Sequence, residues 1–497
     1  MKAVDEFTIV SNRLPIVMHR EDDGWHVESG SGGLVQAMSP ILEKLGGRWI
    51  GWPGICAEDG NGWYPAIAQA GAGFRLEPVI LTRAQVDGFY AGFSNSVIWP
   101  LFHGFADRCD FKPRFYQTYD EVNTRFAEAI APEARSNDFL WVHDYHLIHV
   151  GQKLRTLGVD ARLSFFLHIP FPSAENYTKL PWREEILEAM LAYDLVGLQT
   201  GRDRRNLVQC IERLMPELNI YEIGEMVVVE MPRGSVQIGV FPIGTDYGDF
   251  SRRAGSQAAT ERVAELRREI GPYQVLLGID RLDYTKGLIE RFLAFELALD
   301  RYAELLEQVV LFQLVIPSRE NVPEYRALKR ELDRLVGRIN GRFSTPSWQP
   351  IRYLYNTVSP PDLCALYRLA SAALVTPLRD GMNLVAKEYC ACQVEERGVL
   401  VLSEFAGAAA QLGEGAVLVN PYDIDATAGA IYTAVTMADD ERRRRMRALR
   451  RRIKGSDVFW WAKRFVDAAL EPTLERQVGT RAGPFQGDSN GGLPAAQ

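Results

Sequence analysis

Short apolar runs alternate with amphipathic segments along the first half of the chain. Runs such as FTIVS, FLWVHD, RLSFFLHI and LVGLQT are rich in β-branched and aromatic residues, whereas LVQAMSPILEKLG and REEILEAMLAYD carry apolar residues at helical spacing. Strands that alternate with helices in this way are typical of βαβ units, which build a parallel sheet covered by helices. The pattern therefore predicts an α/β domain of the Rossmann-like, doubly wound kind over residues 1–244.

A second series of strands and helices begins after the polar segment TDYGDFSRRAGSQ. The apolar runs QVLLGID, QVVLFQLVI, IRYLY, AALVTP and GVLVLS predict a second doubly wound domain over residues 245–455. The segment VFWWAKRFVDAAL predicts a helix, within residues 456–477, that crosses back to the first domain. Residues 478–497 are rich in Gly and Pro, which predicts a disordered tail. Sheets of this kind bind ligands beyond the carboxyl ends of their strands, so we expect a site in the cleft between the domains.

Composition and charge narrow the classes of partner. With 47% hydrophobic residues, 24% charged residues and a net charge of −8, the chain has no large cationic footprint for nucleic acid or an anionic membrane. We find no apolar stretch of membrane-spanning length, no signal-peptide pattern at the N-terminus and no disulfide-like cysteine spacing. These features predict a cytoplasmic protein with reduced thiols. The basic run ERRRRMRALRRRIK (residues 441–454) is interpreted as a solvated helix face, since aromatic residues do not interleave it.

Two cationic residues follow one predicted strand of the second domain. The segment GIDRLDYTKG places Arg281 and Lys286 in one loop, where they suit a diphosphate whose negative charge grows as a glycosyl bond breaks. An ordinary solvated loop is the alternative. Arg319 follows the next strand in VIPSRENV, where an arginine can also cap a helix or lie in water.

The segment VTPLRDGMNLVAKE is the strongest candidate for a ligand site. A strand ends near Pro377, Asp380 and Gly381 form the turn, and a helix begins whose free N–H groups would face the cleft. Glu388 lies in the opening turns of that helix, within reach of a ribose. A capping aspartate and a surface glutamate are the alternative interpretation.

Further candidates follow the strands of the first domain. IVSNRLP ends on Arg13, and the glycine loop ESGSGGL can bring backbone N–H groups close to a phosphate or can simply form a tight turn. FLHIPFP places His168 at another strand end. Tyr90 and Trp99 are expected nine residues apart on one helix, and GWPG contributes Trp52. Aromatic residues at such spacing also serve as core.

Ten of these segments, taken in order, resemble the trehalose-6-phosphate synthase family over roughly residues 7–475. They are VSNRLP, SGGL, GWPG, WVHDYHL, FFLHIPFP, RLDYTKG, PSRENV, GRING, TPLRDGMNLVAKEY and LSEFAGAA. The resemblance implies a GT-B glycosyltransferase with two facing Rossmann-like domains. Such an enzyme transfers glucose from a nucleotide diphosphate glucose to glucose 6-phosphate with retention of the α configuration, and UDP-glucose is the favoured donor.

The resemblance also implies which residues perform each task. Asp144 would hydrogen-bond acceptor hydroxyls, Arg281 and Lys286 would neutralise the donor diphosphate, and His168 and Asp380 would hold the donor glucose. The glucose 6-phosphate site would comprise Arg13, Trp52, Tyr90, Trp99 and Arg319. The donor nucleotide would be held by Gly32, Gly33, Val358, Leu384, Val385, Ala386, Lys387 and Glu388.

The same resemblance settles how the histidine-rich segment HDYHLIH is interpreted. Only Asp144 is expected to take part in the reaction site, and His143, His146 and His149 are interpreted as packing or helix-start residues. No metal or other cofactor is expected, because the two cations and a helix dipole already meet the diphosphate. The expected partners are small-molecule substrates and a separate trehalose-phosphate phosphatase in the pathway, since the chain ends soon after residue 475. A homo-oligomer remains open.

Two alternatives compete with this assignment. A glucosylglycerol-phosphate synthase shares the scaffold, but the intact segments SNR and PSR favour a hexose phosphate acceptor over glycerol 3-phosphate. A non-catalytic regulatory homologue would be expected to lack one or more of the charged motif residues, and all are present. The sequence leaves UDP, GDP and ADP open as the donor nucleotide.

Overall fold

The computed structural model describes residues 4–22, 24–30, 33–60, 62–70, 73–319 and 322–471. Within them the chain forms two large, mainly parallel sheets with helices on their faces and a small two-stranded antiparallel sheet near the N-terminus, and the predicted pair of Rossmann-like domains is confirmed. The Gly32 prediction and the predicted tail over residues 478–497 lie outside the described residues.

The first domain contains eleven strands and nine α-helices in its described residues. The strands are β1 (Phe7–Arg13), β2 (Ile16–Glu21), β3 (Gly24–Ser29), β4 (Arg48–Trp52), β5 (Arg75–Pro78), β6 (Phe139–His143), β7 (Arg162–Phe166), β8 (Leu195–Leu198), β9 (Ile220–Ile223), β10 (Met226–Met231) and β11 (Gly234–Val240). The helices are α1 (Gly33–Leu45), α2 (Tyr64–Gln69), α3 (Arg83–Gln85), α4 (Trp99–Phe102), α5 (Pro113–Ile130), α6 (Val150–Thr156), α7 (Ala174–Tyr177), α8 (Arg183–Met190) and α9 (Gly201–Leu214). A π-helix, Val86–Ile98, joins α3 to α4.

Nine of these strands form one sheet in the order β5-β4-β1-β6-β7-β8-β11-β10-β9. The pairs from β5 to β11 are parallel, and β10 and β9 add an antiparallel edge. Strands β1, β4, β6 and β7 are buried almost throughout, as expected for parallel strands covered on both faces. Their carboxyl ends therefore meet at one edge, where Arg13, Trp52, Asp144 and His168 lie.

The second domain has a six-stranded, wholly parallel sheet in the order β14-β13-β12-β15-β16-β17. Its strands are β12 (Gln274–Arg281), β13 (Val309–Ile316), β14 (Ile351–Tyr355), β15 (Ala372–Val375), β16 (Val399–Ser403) and β17 (Val417–Val419). Its helices are α10 (Tyr247–Ala254), α11 (Gln257–Ile270), α12 (Leu288–Arg301), α13 (Pro323–Phe343), α14 (Pro360–Leu369), α15 (Leu384–Cys392), α16 (Ala409–Leu412), α17 (Ile424–Thr436) and α18 (Asp439–Gly455). Short 3₁₀ turns occur in both domains, at Ala57–Asp59, Ala106–Arg108, Tyr284–Lys286 and Ala303–Leu305.

A last helix, α19 (Val458–Leu470), packs against the sheet of the first domain. The ring of Phe465 stacks on Trp141 of β6 at 4.3 Å, and Arg162 Nε donates to the carbonyl of Ala469 at 2.6 Å. The amide of Val458 donates to Thr245 in the linker between the domains at 3.1 Å. The linker is thus held by the helix that returns to the first domain.

The basic run forms helix α18, whose outer face carries most of its arginines in solvent. Arg442 is an exception to the predicted solvated face. Its guanidinium is buried and donates to the carbonyls of Ala434 and Val435, each at 2.7 Å, which satisfies the carboxyl end of α17. None of the described helices is both long enough and apolar enough to cross a membrane.

Candidate active site

The predicted donor side of the cleft is built on neighbouring strands β12 and β15. Arg281 is the last residue of β12, Lys286 lies in the 3₁₀ turn that follows, and Asp380 lies between β15 and α15. Lys286 Nζ donates to Asp380 Oδ2 at 2.6 Å, and Asn383 Nδ2 donates to the same oxygen at 3.0 Å. Burial disfavours the ionised form of Asp380, but the charge and hydrogen bond of Lys286 outweigh this effect and hold the pKa of Asp380 below its usual value. The structure therefore joins two sequence-predicted residues in one buried ion pair.

A buried arginine that the sequence analysis did not single out supports this loop. Arg291 of α12 donates to Thr376 Oγ1 and to Gln313 Oε1, each at 3.0 Å, and pairs with Asp280. It also donates to the carbonyl of Lys286 at 3.4 Å. A charged residue within the apolar segment LIERFLAFEL is the signal that marks it in the sequence.

Helix α15 begins with two main-chain amides that have no hydrogen-bond partner in the described part of the chain. Asn383, at φ 77°, is its N-cap, and its side chain accepts the amide of Ala386 at 3.2 Å. Since the first N–H groups of a helix lack intrahelical partners, this leaves the amides of Leu384 and Val385 for a ligand. Glu388 is buried and accepts the Tyr367 hydroxyl at 2.8 Å, and burial raises its pKa to about 7.

The side chain of Lys387 is committed elsewhere. Its Nζ donates to the carbonyl of Ile243 in the linker at 2.5 Å and to Gln411 Oε1 at 2.6 Å. Burial lowers the pKa of this ammonium to about 7. Only the main chain of Lys387 is left to meet a donor nucleotide. Val358 lies between β14 and α14 and is partly buried.

The acceptor side begins at the carboxyl end of β1. The Arg13 guanidinium lies 4.7 Å from the centre of the Trp52 ring, and that ring lies 6.3 Å from Tyr90. Gly54 makes room for the arginine, because a Cβ at this glycine would lie 2.2 Å from Arg13 Nη2. The position of the Arg13 guanidinium thus leaves room only for a glycine at Gly54, the last residue of GWPG. Gly33 is the first residue of α1.

Trp99 is contacted by arginines of the other domain. Arg319 lies 4.5 Å and Arg281 lies 5.7 Å from the centre of its ring. Arg319 adopts φ 50° and is held by the hydroxyls of Tyr325 and, at 3.4 Å, of Tyr145. These two tyrosines were not predicted as site residues.

Tyr90 belongs to the same aromatic and cationic surroundings as the two predicted acceptor arginines. Burial lowers the pKa of Arg13 and Tyr90 opposes this effect, and Tyr90 also contributes to the raised pKa of Arg319. Tyr90 also stacks on His146 at 5.8 Å with an angle of 10°. The π-helix that carries Tyr90 replaces the ordinary helix expected for this segment. Side chains of Asn95 and Ser96 bond to carbonyls five residues earlier, as π geometry allows.

Asp144 follows β6 with an uncommon φ of 73°. Burial raises the pKa of its carboxyl to about 7, against the amides of Tyr145 and His168 and the charges of Arg281 and Arg319. The amide of His168 donates to Asp144 Oδ1 at 3.2 Å. The charges of one predicted donor arginine, Arg281, and one predicted acceptor arginine, Arg319, therefore both act on Asp144.

The three histidines of HDYHLIH do not converge. His149 Nδ1 contacts Asp120 Oδ1 at 2.8 Å, His146 packs among aromatic rings, and His143 Nδ1 lies 3.0 Å from His168 Nε2. Across the described part of the chain, no group of three His, Cys, Asp or Glu residues has a geometry that could hold a metal ion.

The two halves of the site meet at Gly381. A Cβ at this position would lie 2.0 Å from the carbonyl oxygen of His168 in the other domain. Asp380 and His168, both predicted to hold the donor glucose, are thus brought side by side by the contact of the two domains.

The chain has two α/β domains with mainly parallel sheets, and their strand ends present cations and a helix start to a shared cleft. This architecture defines a GT-B glycosyltransferase. The chain matches glycosyltransferase family 20 over residues 5–471 and belongs to that family. The resemblance found in the sequence and the expected class, a hexosyltransferase, are confirmed.

Relatives of known type support this placement. The trehalose-6-phosphate synthase of Mycolicibacterium vanbaalenii is 42% identical over 471 residues, which cover 93% of this chain and 95% of the relative. The bifunctional trehalose-6-phosphate synthase/phosphatase of Thermoproteus tenax is 41% identical over 480 residues, and the chain spans 64% of its length. A solved structure, the α,α-trehalose-phosphate synthase (UDP-forming) of Burkholderia xenovorans in complex with glucose-6-phosphate, has a TM-score of 0.85 and 34% identity, with 93% of this chain and 99% of that chain covered.

Proposed function

We propose that the protein transfers glucose from UDP-glucose to glucose 6-phosphate and forms α,α-trehalose 6-phosphate and UDP. The observation that carries this proposal is the position of Arg281 and Arg319 over one indole, that of Trp99. Arg281 is predicted to bind the donor diphosphate, and Arg319 is predicted to bind the acceptor phosphate. The similarity to a UDP-forming enzyme of known structure bound to glucose-6-phosphate supports the choice of substrates.

The donor pocket would hold the diphosphate with Arg281, Lys286 and the free amides at the start of α15. Negative charge accumulates on the diphosphate as the glycosyl bond breaks, and fixed donors and cations stabilise such charge without reorganising. The buried carboxylate of Asp380 keeps Lys286 in place before the donor arrives. The proposal assigns stabilisation of the diphosphate charge to these cations and amides and includes no metal ion.

The acceptor pocket would hold the sugar phosphate with Arg13 and Arg319, and Tyr90 would join them from beside the Trp52 ring that Arg13 contacts. Charge-assisted hydrogen bonds from arginine to phosphate are among the strongest polar contacts in proteins. Asp144 would accept hydrogen bonds from acceptor hydroxyls, and its ionised form offers both carboxylate oxygens as acceptors. The neighbouring arginines favour that ionised form against the effect of burial.

We propose that the reaction proceeds with retention by attack on the face from which the diphosphate leaves. The anomeric hydroxyl of the acceptor forms the new bond, the bond to the donor phosphate breaks, and the hydroxyl proton passes to an oxygen of the departing phosphate. Placement of the two substrates and electrostatic stabilisation of the leaving group then account for most of the catalysis.

A substrate panel tests the proposal. The protein is incubated with UDP-, GDP- or ADP-glucose and with glucose 6-phosphate or glycerol 3-phosphate, and nucleotide release and the disaccharide product are measured. Fast release of UDP with glucose 6-phosphate, together with an α,α-linked product by NMR, supports it. Preference for glycerol 3-phosphate would indicate a glucosylglycerol-phosphate synthase, and the absence of release with every pair would indicate a regulatory homologue.

A further inference from the structure

Two imidazole rings share a hydrogen bond at the carboxyl ends of β6 and β7. His143 Nδ1 and His168 Nε2 are 3.0 Å apart, and the ring centres are 5.3 Å apart with an angle of 28°. Burial lowers the pKa of His143 well below its usual value and that of His168 to about 3, so both rings are neutral at physiological pH. Each ring then carries one proton, and the shared bond admits two arrangements.

In the first arrangement His143 carries its proton on Nδ1 and donates it to the bare Nε2 of His168. In the second, the proton of His168 lies on Nε2 and is donated to a bare Nδ1 of His143, whose own proton must then lie on Nε2. The two arrangements leave opposite groups on the remaining nitrogens. In the first, His143 buries a bare Nε2 and His168 presents an N–H group on Nδ1. In the second, His143 buries an N–H group on Nε2 and His168 presents a bare Nδ1.

The surroundings of His143 decide between them. Its ring is fully buried between Trp141, at 4.7 Å between ring centres, and Phe166, at 6.5 Å. Its Nε2 is buried and has no hydrogen-bond partner among the described residues. A buried N–H group without an acceptor is rarer in folded proteins than a buried acceptor that lacks a donor. The first arrangement, which leaves only a lone pair on this nitrogen, is therefore favoured.

We propose that His143 is a positioning residue that donates its Nδ1 proton to His168 and so fixes His168 in the tautomer with an N–H group on Nδ1. The residue His168 as a whole keeps some exposure to solvent although its ring is desolvated, and its main-chain carbonyl lies against Gly381, the neighbour of Asp380. This inference rests on the proposed function, in which His168 holds the donor glucose. It adds that His168 meets the sugar as a hydrogen-bond donor, and that the residue before Asp144 determines this.

The first test measures the tautomer directly in the ligand-free protein. The chain has seven histidines, and ¹⁵N labelling of histidine allows the protonated nitrogen of each ring to be identified by NMR, with the His168 signals assigned from their loss in His168→Gln. We expect His168 to carry its proton on Nδ1. A proton on Nε2, or on both nitrogens at pH 7.5, would overturn the proposal. This readout does not depend on turnover, so it stands or fails separately from the proposed function.

The second test replaces the positioning residue. In His143→Phe the tautomer of His168 is no longer constrained, and water favours the Nε2–H form. We expect the His168 signals to change to that form and kcat/KM for UDP-glucose to fall about tenfold, as expected for one lost hydrogen bond. His143→Asn offers an amide donor near the same place and should restore both the Nδ1–H form and most of the activity.

A matched control separates this effect from the general cost of removing a buried histidine. His149 is equally buried but pairs with Asp120, so His149→Phe should leave the His168 tautomer unchanged. Should His143→Phe fail to fold, the wild-type tautomer and His143→Asn decide the matter. Normal kcat/KM in a folded His143→Phe would overturn the positioning role.

Discussion

Lys286 and Asp380 form an ion pair at the end of the second sheet, with Nζ 2.6 Å from Oδ2 and both side chains largely buried. The two residues lie on loops that follow neighbouring strands, β12 and β15. The same two side chains are proposed to meet the diphosphate and the glucose of the donor. The free protein therefore holds a cation in the donor pocket in a fixed position, and substrate binding does not have to order it.

Removal of Lys286 should damage both activity and stability. Lys286→Ala leaves a buried carboxylate without its cation, and loss of one partner of a buried pair typically costs about 3–5 kcal/mol. We also expect kcat to fall about 100-fold or more, by analogy with the loss of one preorganised donor. Urea unfolding and steady-state rates with UDP-glucose measure the two effects.

The control for this prediction is Lys463, which pairs with Asp467 on the exposed face of α19. An exposed pair of this kind contributes about 0.5 kcal/mol or less, so Lys463→Ala should be close to wild type in both measurements. Normal turnover by a folded Lys286→Ala variant would exclude this lysine from the diphosphate site.

The raised pKa of Asp144 predicts a pH dependence of stability. Its folded-state pKa is about 7, whereas an aspartate in an unfolded chain titrates near about 3.9. Between these values the folded protein keeps a proton that the unfolded chain has lost, so this group contributes most stability at low pH and loses that contribution as pH rises through 7. The free energy of unfolding of Asp144→Asn, measured relative to wild type, should therefore increase from pH 4 to pH 8. A constant difference over this range would contradict the raised pKa.

Arg13 should affect the acceptor and spare the donor. We expect Arg13→Ala to raise KM for glucose 6-phosphate about 10- to 100-fold, since a hydrogen bond to a charged group is worth about 1.5–3 kcal/mol. Slow hydrolysis of UDP-glucose in the absence of acceptor should remain near the wild-type rate. Equal losses in both assays would argue that Arg13 does not bind the acceptor phosphate.

Gly54 offers a second route to the same result without changing a charge. A Cβ at Gly54 would lie 2.2 Å from Arg13 Nη2, so Gly54→Ala should displace the guanidinium and raise KM for glucose 6-phosphate in the same direction. Gly60 is the matched control, because it also has a positive φ, of 84°, but nothing lies within 4 Å of its added Cβ. A similar KM for both alanine variants would mean that backbone strain, and not Arg13, is responsible.

Gly381 should control how closely the two domains approach. In Gly381→Ala the new Cβ would meet the His168 carbonyl at 2.0 Å, and backbone atoms on both sides leave little room to adjust. Misplacement of reacting groups by about 1 Å can cost about 100-fold in rate, so we expect a loss of kcat of that order. Gly337→Ala, in open space within α13, should leave kcat unchanged. Retention of kcat in Gly381→Ala would show that this contact is not needed for turnover.

Strand ends are the part of the site that the sequence predicted well. Arg13, Arg281 and Arg319 each follow a buried apolar run, and parallel strands bring such positions to one edge of a sheet. Arg13 of SNR and Gly54 of GWPG are far apart along the chain, but both belong to the ten segments that carry the family resemblance.

Contacts between distant segments were beyond the reach of such patterns. The Lys286–Asp380 pair spans 94 positions, and the stacking of Arg319 on Trp99 depends on how the two domains face each other. Within the π-helix, the side chains of Asn95 and Ser96 donate to carbonyls five residues earlier, a feature that apolar spacing does not reveal. Lys387 shows that a position in a motif does not reveal the task of its side chain. It lies beside the predicted phosphate site, but its ammonium group donates to the carbonyl of Ile243 in the linker.

The most direct test of the account is a crystal structure of the protein with UDP and glucose 6-phosphate bound together. We predict that the diphosphate lies within hydrogen-bond distance of Arg281 and Lys286, and that the sugar phosphate contacts Arg13 and Arg319 on the other side of Trp99. A sugar phosphate bound away from both of these arginines, or a diphosphate that contacts neither Arg281 nor Lys286, would contradict it.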